Sequence, residues 1–156
     1  MSPSDAAWQQ LISALHASGR KAALAITGGG SGAVGELLRV PGGSRLLVEA
    51  QVPYDALALA AFLGFAPAQA CSSDTAIAMA RSARVRAAKL VPAGTDLVGL
   101  GATAALVSDR PRRGEHRFHI AFANAAGIAH CTCGRGGQLG GEDFRNETRS
   151  ALGGGC

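Results

Sequence analysis

Residues 22–26 make a short apolar run that feeds straight into Thr27-Gly28-Gly29-Gly30-Ser31-Gly32, and the glycines open in turn into a helix-like pattern ending near Arg39. That succession of apolar run, tight glycine turn and helical pattern is the repeating unit of an α/β domain. Glycine lacks the Cβ that blocks close backbone approach, and the free N–H groups of a helix start point at whatever negative group docks there. The loop is therefore a candidate cradle for an anion or a nucleotide, with Gly28, Gly29, Gly30, Ser31 and Gly32 as its backbone. A second polar loop after an apolar run, residues 102–117, holds Thr103 and Arg113. Two strand ends are expected to converge on one pocket.

Around this unit the chain alternates. Ser4 or Asp5 caps a first helix that carries Trp8, Leu11, Ile12 and Leu15 at helical spacing and is stopped by Gly19. After a strand over 22–26 and a helix over 31–39, the turn Val40-Pro41-Gly42-Gly43-Ser44 leads to a strand over 45–52. Pro53-Tyr54-Asp55 breaks that strand, and an Ala/Leu run makes a short buried helix up to Gly64. Ser72 or Ser73 then caps a helix bearing Ile77, Ala80, Ala83, Arg84 and Ala87. Strands over 96–103 and 116–125 follow. This order predicts a three-layer α/β/α sandwich with a mixed or mostly parallel sheet over residues 1–130. Residues 131–156 are expected to form a glycine-rich tail with at most a weak helix over 142–152.

At 156 residues and 47% hydrophobic, the chain has the size and apolar content of one globular domain. A net charge of +4 permits an anionic ligand, yet with 17% charged residues the basic groups form no concentrated face of the kind duplex binding needs. The basic run 110–117 reads as a solvated turn, and no nucleic-acid partner is expected. The longest apolar stretch, residues 56–65, is too short to span a bilayer, and the start of the chain has no basic n-region, so no membrane partner is expected either. Cys71, Cys131, Cys133 and Cys156 are too unevenly spaced for a disulfide framework, which predicts a reducing compartment and a cytoplasmic protein.

Three constellations carry possible chemistry. Gly30-Ser31-Gly32-Ala33-Val34-Gly35 satisfies the dinucleotide fingerprint, with Glu49 about twenty residues on as its ribose-binding acid, although the helix is short for a dinucleotide crossover. His116, His119 and the run His130-Cys131-Thr132-Cys133 contain zinc-ligand types, but no second C-x-x-C accompanies them. Strand residues three apart also face opposite sides, so no metal is expected. Thr27, Ser31, Ser44, Tyr54 and Thr103 are the hydroxyls beside the glycine loops. A hydroxyl nucleophile needs a base within reach and donors for the oxyanion; the loop amides supply the donors, while His16 and Lys21 lie on or just after the first helix.

From residue 8 to about 126 the chain resembles the CinA carboxy-terminal domain, the family of nicotinamide-nucleotide amidohydrolases. The resemblance is carried by Thr27-Gly28-Gly29-Gly30-Ser31-Gly32-Ala33, by the helix closed with Val40-Pro41-Gly42, by Val52-Pro53-Tyr54, and by Ser108-Asp109-Arg110-Pro111-Arg112-Arg113-Gly114-Glu115-His116-Arg117. These pieces look most like a divergent, CinA-like branch. The resemblance implies a cofactor-free hydrolase that converts nicotinamide mononucleotide to nicotinate mononucleotide and ammonia, using a serine nucleophile helped by a lysine and a tyrosine. Aligned without a gap from Val40-Pro41-Gly42, the serine position falls on Thr27; matching Thr-Gly-Gly directly puts Ala25 there instead. Tyr54 matches the tyrosine, and Leu59 occupies the lysine position.

A leucine cannot take a proton from a hydroxyl, and general-base assistance is worth about 10²–10⁴ in rate. The resemblance thus implies a retained pocket for a small nucleotide and weakened or lost catalysis. Thr27 and Tyr54 are the expected catalytic positions, and the loop 28–32, Thr103 and Arg113 the expected ligand contacts. Two competing readings are a noncatalytic regulatory subunit and a dinucleotide-binding module. The expected assembly is a homo-oligomer.

Overall fold

The computed structural model describes residues 3–105 and 117–134. In chain order its elements are α1 (Pro3–His16), β1 (Lys21–Gly28), α2 (Gly32–Arg39), α3 (Gly43–Leu46), β2 (Leu47–Gln51), α4 (Ala56–Leu63), α5 (Ser73–Ala87), β3 (Leu97–Ala105), β4 (Arg117–Ala123) and β5 (Ile128–Gly134). The strands form one sheet in the order β2-β1-β3-β4-β5. β1 runs parallel to both β2 and β3, whereas β4 and β5 are added antiparallel. Helices lie on both faces, so the expected α/β layering with a mixed sheet is what the chain adopts.

The two faces are built differently. Side chains alternate across a strand, and one face presents Ala23 and Ala25 of β1, Gly99 and Gly101 of β3, and Ala121 and Ala123 of β4. Helix α5 answers with Ala76, Ala80, Ala83 and Ala87, all buried. The helix lies so close that a Cβ on Gly101 would fall on the carbonyl oxygen of Ala76, and one on Gly99 would sit 2.7 Å from Arg84 Cβ. Leu59 of α4 and Met79 of α5 fill the remaining space on this side.

The opposite face presents Leu24, Ile26, Leu100, Ala102 and Ile120 toward α1 and α2. Ile12 is the member of the α1 stripe that is buried; Trp8, Leu11 and Leu15 are each about half exposed and border an open cavity. The helical spacing correctly marks the face of α1 that turns to the sheet, but among the described residues that face is only partly covered. The end of α1 is tied to the Val40-Pro41-Gly42 turn, where His16 Nδ1 donates to the carbonyl of Pro41 at 3.3 Å.

Two elements depart from expectation. Residues 43–46 coil into α3 instead of continuing the turn. Residues 128–134 form β5, so the sheet runs past residue 130, where the tail was placed. β5 is held by its hairpin with β4, and a run in which His, Cys and Thr interrupt the apolar residues does not by its pattern alone mark a strand.

Because α5 rests on the glycines of β3, adding one methyl group at Gly101 overpacks the layer. Gly101→Ala is expected to lower stability by at least about 1–3 kcal/mol. Gly35→Ala, inside α2 with nothing near its added Cβ, is expected to raise it by about 0.5–1 kcal/mol. Urea unfolding of the two variants beside the wild type checks both signs.

Candidate functional site

The glycine loop leaves the sheet at the carboxyl ends of β1 and β3, where Thr27 pairs with Thr103 and Gly28 with Ala104. From β1 the chain moves to β2 on one side, then crosses back to β3 on the other, so strand order reverses at this point. Open α/β sheets bind ligands in the crevice at such a reversal. Gly28 adopts φ +77°, and a Cβ there would collide with the Ala104 carbonyl oxygen, so only glycine lets β1 turn away from β3 at this spot.

Helix α2 starts four residues later. Its N-cap, Ser31, makes no side-chain cap hydrogen bond, and no acidic residue lies in the first turn. The amides of Ala33 and Val34 turn back to the carbonyls of Gly30 and Ser31 at 3.0 and 3.2 Å. The positive end of the helix is therefore not neutralised by a local carboxylate.

Gly29, Gly30 and Ala33 form one wall of an open cavity of about 450 Å³ between α1, α2 and the sheet. Its surface is almost wholly carbon. Thr103 and His119 also border it, but alternation along β3 and β4 turns their side chains to the other face, with Gly101 and Ala121.

Register places four polar side chains in a row across neighbouring strands: Thr27, Thr103, His119 and Thr132. Thr103 Oγ1 donates to the carbonyl of Ala70 at 2.7 Å, which fastens the loop before α5 to the end of β3. His119 Nδ1 lies 2.8 Å from Thr132 Oγ1. His119 is 9% exposed, and burial, then the charge of Arg117 and then that of His130, holds its pKa below the ordinary 6.5. A neutral imidazole at neutral pH follows.

The expected site residues are distributed as follows. Thr27 is buried next to the last residue of β1, and Ala25 is fully buried. Tyr54 lies just beyond the end of β2 and is 74% exposed, whereas Leu59 is 2% exposed in the core under α4. Arg113 lies outside the described residues. Glu49 does not wait for a ribose: it sits within β2, its Oε1 accepting from Arg86 Nε at 2.7 Å and its Oε2 from Gln51 Nε2 at 3.2 Å. With α2 only eight residues long, the dinucleotide fingerprint has neither its acid nor its crossover helix. His119 and Thr132 were missed as site residues because the row exists only once β4 is paired with β3 and β5 is known as a strand.

Comparison with solved structures places this architecture. The chain is similar to the competence/damage-inducible protein CihA from Agrobacterium tumefaciens, at 21% identity over 79% of this chain and 75% of that one, with a TM-score of 0.58. It is also similar to a CinA superfamily protein from Enterobacter cloacae (17% identity, 92% and 83% covered, TM-score 0.61) and to another from Escherichia coli (16%, 97% and 85%, 0.59). No protein-family model matches the chain, and no curated protein matches it in sequence. The chain has the CinA-like fold. No described helix is long and apolar enough to cross a membrane.

The lowered His119 pKa fixes a sign for pH dependence. The unfolded chain takes up the proton at its ordinary value while the folded chain resists it, so the contribution is present above pH 6.5 and lost as pH falls below it. His119→Gln is expected to show a smaller loss of urea-unfolding midpoint than the wild type on acidification through this range.

Proposed function

We propose that this chain is a CinA-like domain that binds a small phosphorylated nucleotide, with nicotinamide mononucleotide the first candidate, and hydrolyses its carboxamide weakly or not at all. The observation that carries the reading is the glycine loop. It stands at the reversal of strand order, opens onto the uncapped start of α2, and shares a wall with the cavity. Backbone N–H groups and the helix dipole suit a phosphate, and the carbon-lined cavity suits a planar ring more than a sugar.

The chemistry is weaker than the recognition. With Thr27 in the serine position, the nucleophile is a hydroxyl that needs a base, and the lysine position is Leu59, a core residue. The tyrosine position, Tyr54, turns mostly to solvent. Binding without turnover, a regulatory role for the same pocket, is the second reading, and the burial of Leu59 is what favours it.

A binding titration with nicotinamide mononucleotide, run beside an assay for ammonia release, tests both parts. Binding with ammonia release orders of magnitude below that of a competent amidohydrolase is expected. Gly30→Val forces a β-branched residue into φ +102° and is expected to weaken binding at least about tenfold, the loss of one charge-assisted hydrogen bond or more. Unchanged affinity in the folded variant would remove the loop from the site. In the double variant Thr27→Ser, Leu59→Lys, ammonia release is expected to rise, provided that circular dichroism shows the core tolerates the ammonium group. Rapid turnover by the unmodified protein that survives Thr27→Ala would transfer the reaction to another hydroxyl, Ser31 first.

A further inference from the structure

His16 is a titratable side chain buried where the proposed chemistry makes no use of it. It ends α1 and is 2% exposed, and its Nδ1 donates to the carbonyl of Pro41. Its Nε2 is buried without a hydrogen-bond partner, alone in this among the side-chain nitrogens and oxygens of the described residues. With the ring proton on Nδ1, that second nitrogen carries a lone pair and no charge. An unpaired acceptor of this kind is tolerated far better in a protein interior than an unpaired charge.

The elements packed around the ring bring cations to it. Arg45 of α3 donates from Nε to the His16 carbonyl at 3.4 Å, and a Cβ on Gly42 would meet both the Arg45 guanidinium and His16 Nδ1. Cation and imidazole therefore flank one glycine. Lys21, at the start of β1, donates from Nζ to the Ser44 carbonyl of α3 at 2.8 Å. Arg39, which ends α2, pairs with Glu36, and the turn residues 40–42 carry no charge. The dipole of α1 favours a cation at its carboxyl end. That attraction acts on the ring whether it is buried or turned out to water, so it does not hold a charged ring in place.

We propose that His16 is a pH-sensitive latch: protonation of Nε2 expels the ring from beside Arg45 and frees the carboxyl end of α1 from the Val40-Pro41-Gly42 turn. The added proton makes a donor for which the pocket offers no acceptor, and it sets a second positive charge beside the guanidinium. Water outside the pocket supplies the missing partner. The consequence reaches the cavity. Ile12 and His16, four residues apart on one face of α1, are the side chains by which this helix is buried. Once His16 leaves, Ile12 remains, and the Trp8, Leu11 and Leu15 wall of the cavity moves away from the sheet. The glycine loop stays where Gly28 packs on Ala104. No ligand takes part, so the latch stands or falls independently of the nucleotide reading.

Trp8 is the sole tryptophan of the chain and stands on α1 about two turns before His16, so it reports the motion. The full 156-residue chain is taken from about pH 8 to about pH 5, the range in which histidine ordinarily changes charge. Trp8 emission is expected to shift to longer wavelength, and the indole N–H resonance to move in step with the His16 ring resonances, at constant far-ultraviolet circular dichroism. His16→Gln, which takes up no proton, is expected to lose both shifts, whereas His119→Gln and His130→Gln keep them. Trp8 signals that ignore pH, or that move equally in a folded His16→Gln protein, overturn the proposal. If His16→Gln fails to fold, the wild-type resonances decide. A His16 ring that titrates while Trp8 stays still, one that does not titrate in this range, or a Trp8 shift that follows another histidine overturns the latch as well. So does a loss of circular dichroism in step with the shift, which is global unfolding.

Discussion

The contact between α5 and β3 sets the depth at which every other part of the molecule sits. Ala76 and Ala80 lie directly over Gly101 and Gly99, so helix backbone and strand backbone touch with almost no side chain between them. Packing of this kind gains many dispersion contacts at short range and tolerates no added atom. It also fixes the approach to the helix: the carbonyl of Ala70 is drawn onto Thr103 Oγ1, and Ser72 Oγ accepts from the Thr75 amide as the N-cap. The polar row at the carboxyl end of β1 and β3 is thus held from above by the same helix that closes the core.

A closed face and an open face follow from residue size. Alanine and glycine on the α5 side leave no volume to fill, so that layer is complete within the described residues. The α1 side carries leucine, isoleucine and phenylalanine, which α1 and α2 cover only in part, and a cavity remains beside the glycine loop. The loop belongs to both regions. Its first residue, Gly28, is shaped by contact with β3, and its last, Gly32, begins the helix that walls the cavity.

What could be read in advance follows the range of the interaction responsible. The strand–loop–helix unit, the Ser72 cap and the α4 and α5 boundaries depend on neighbours within a few residues, and local pattern displays them. The half-buried state of Trp8, Leu11 and Leu15 depends on what lies across the sheet, and spacing alone marks their side of the helix without saying how well it is covered. The alignment of Thr27, Thr103, His119 and Thr132 depends on the pairing of β1 with β3, which are distant in sequence, and on the two antiparallel pairings that follow. His119 illustrates the difference. As a histidine three residues from His116 it suggests only a failed chelate; as the cross-strand neighbour of Thr103 it becomes a buried, neutral imidazole in the polar row on the α5 side of the sheet.

Leu59 marks where packing and chemistry compete for one position. It sits on the inner face of α4 in contact with the Ala23, Ala25 and Met79 cluster, a place where an ammonium group would be desolvated. Such a group loses its proton more readily, which is how a buried lysine becomes a base near neutral pH. A leucine in the same place strengthens the core by roughly the free energy of burying its side chain, about 1.5–3 kcal/mol, and removes the proton acceptor altogether. The recognition elements do not share this position: the loop backbone and the start of α2 lie on the opposite side of β1, and their geometry depends on Gly28 and Ala104. Under the proposed reading, a leucine at this position therefore leaves the glycine loop unaltered, because the loop's geometry is set on the other side of β1.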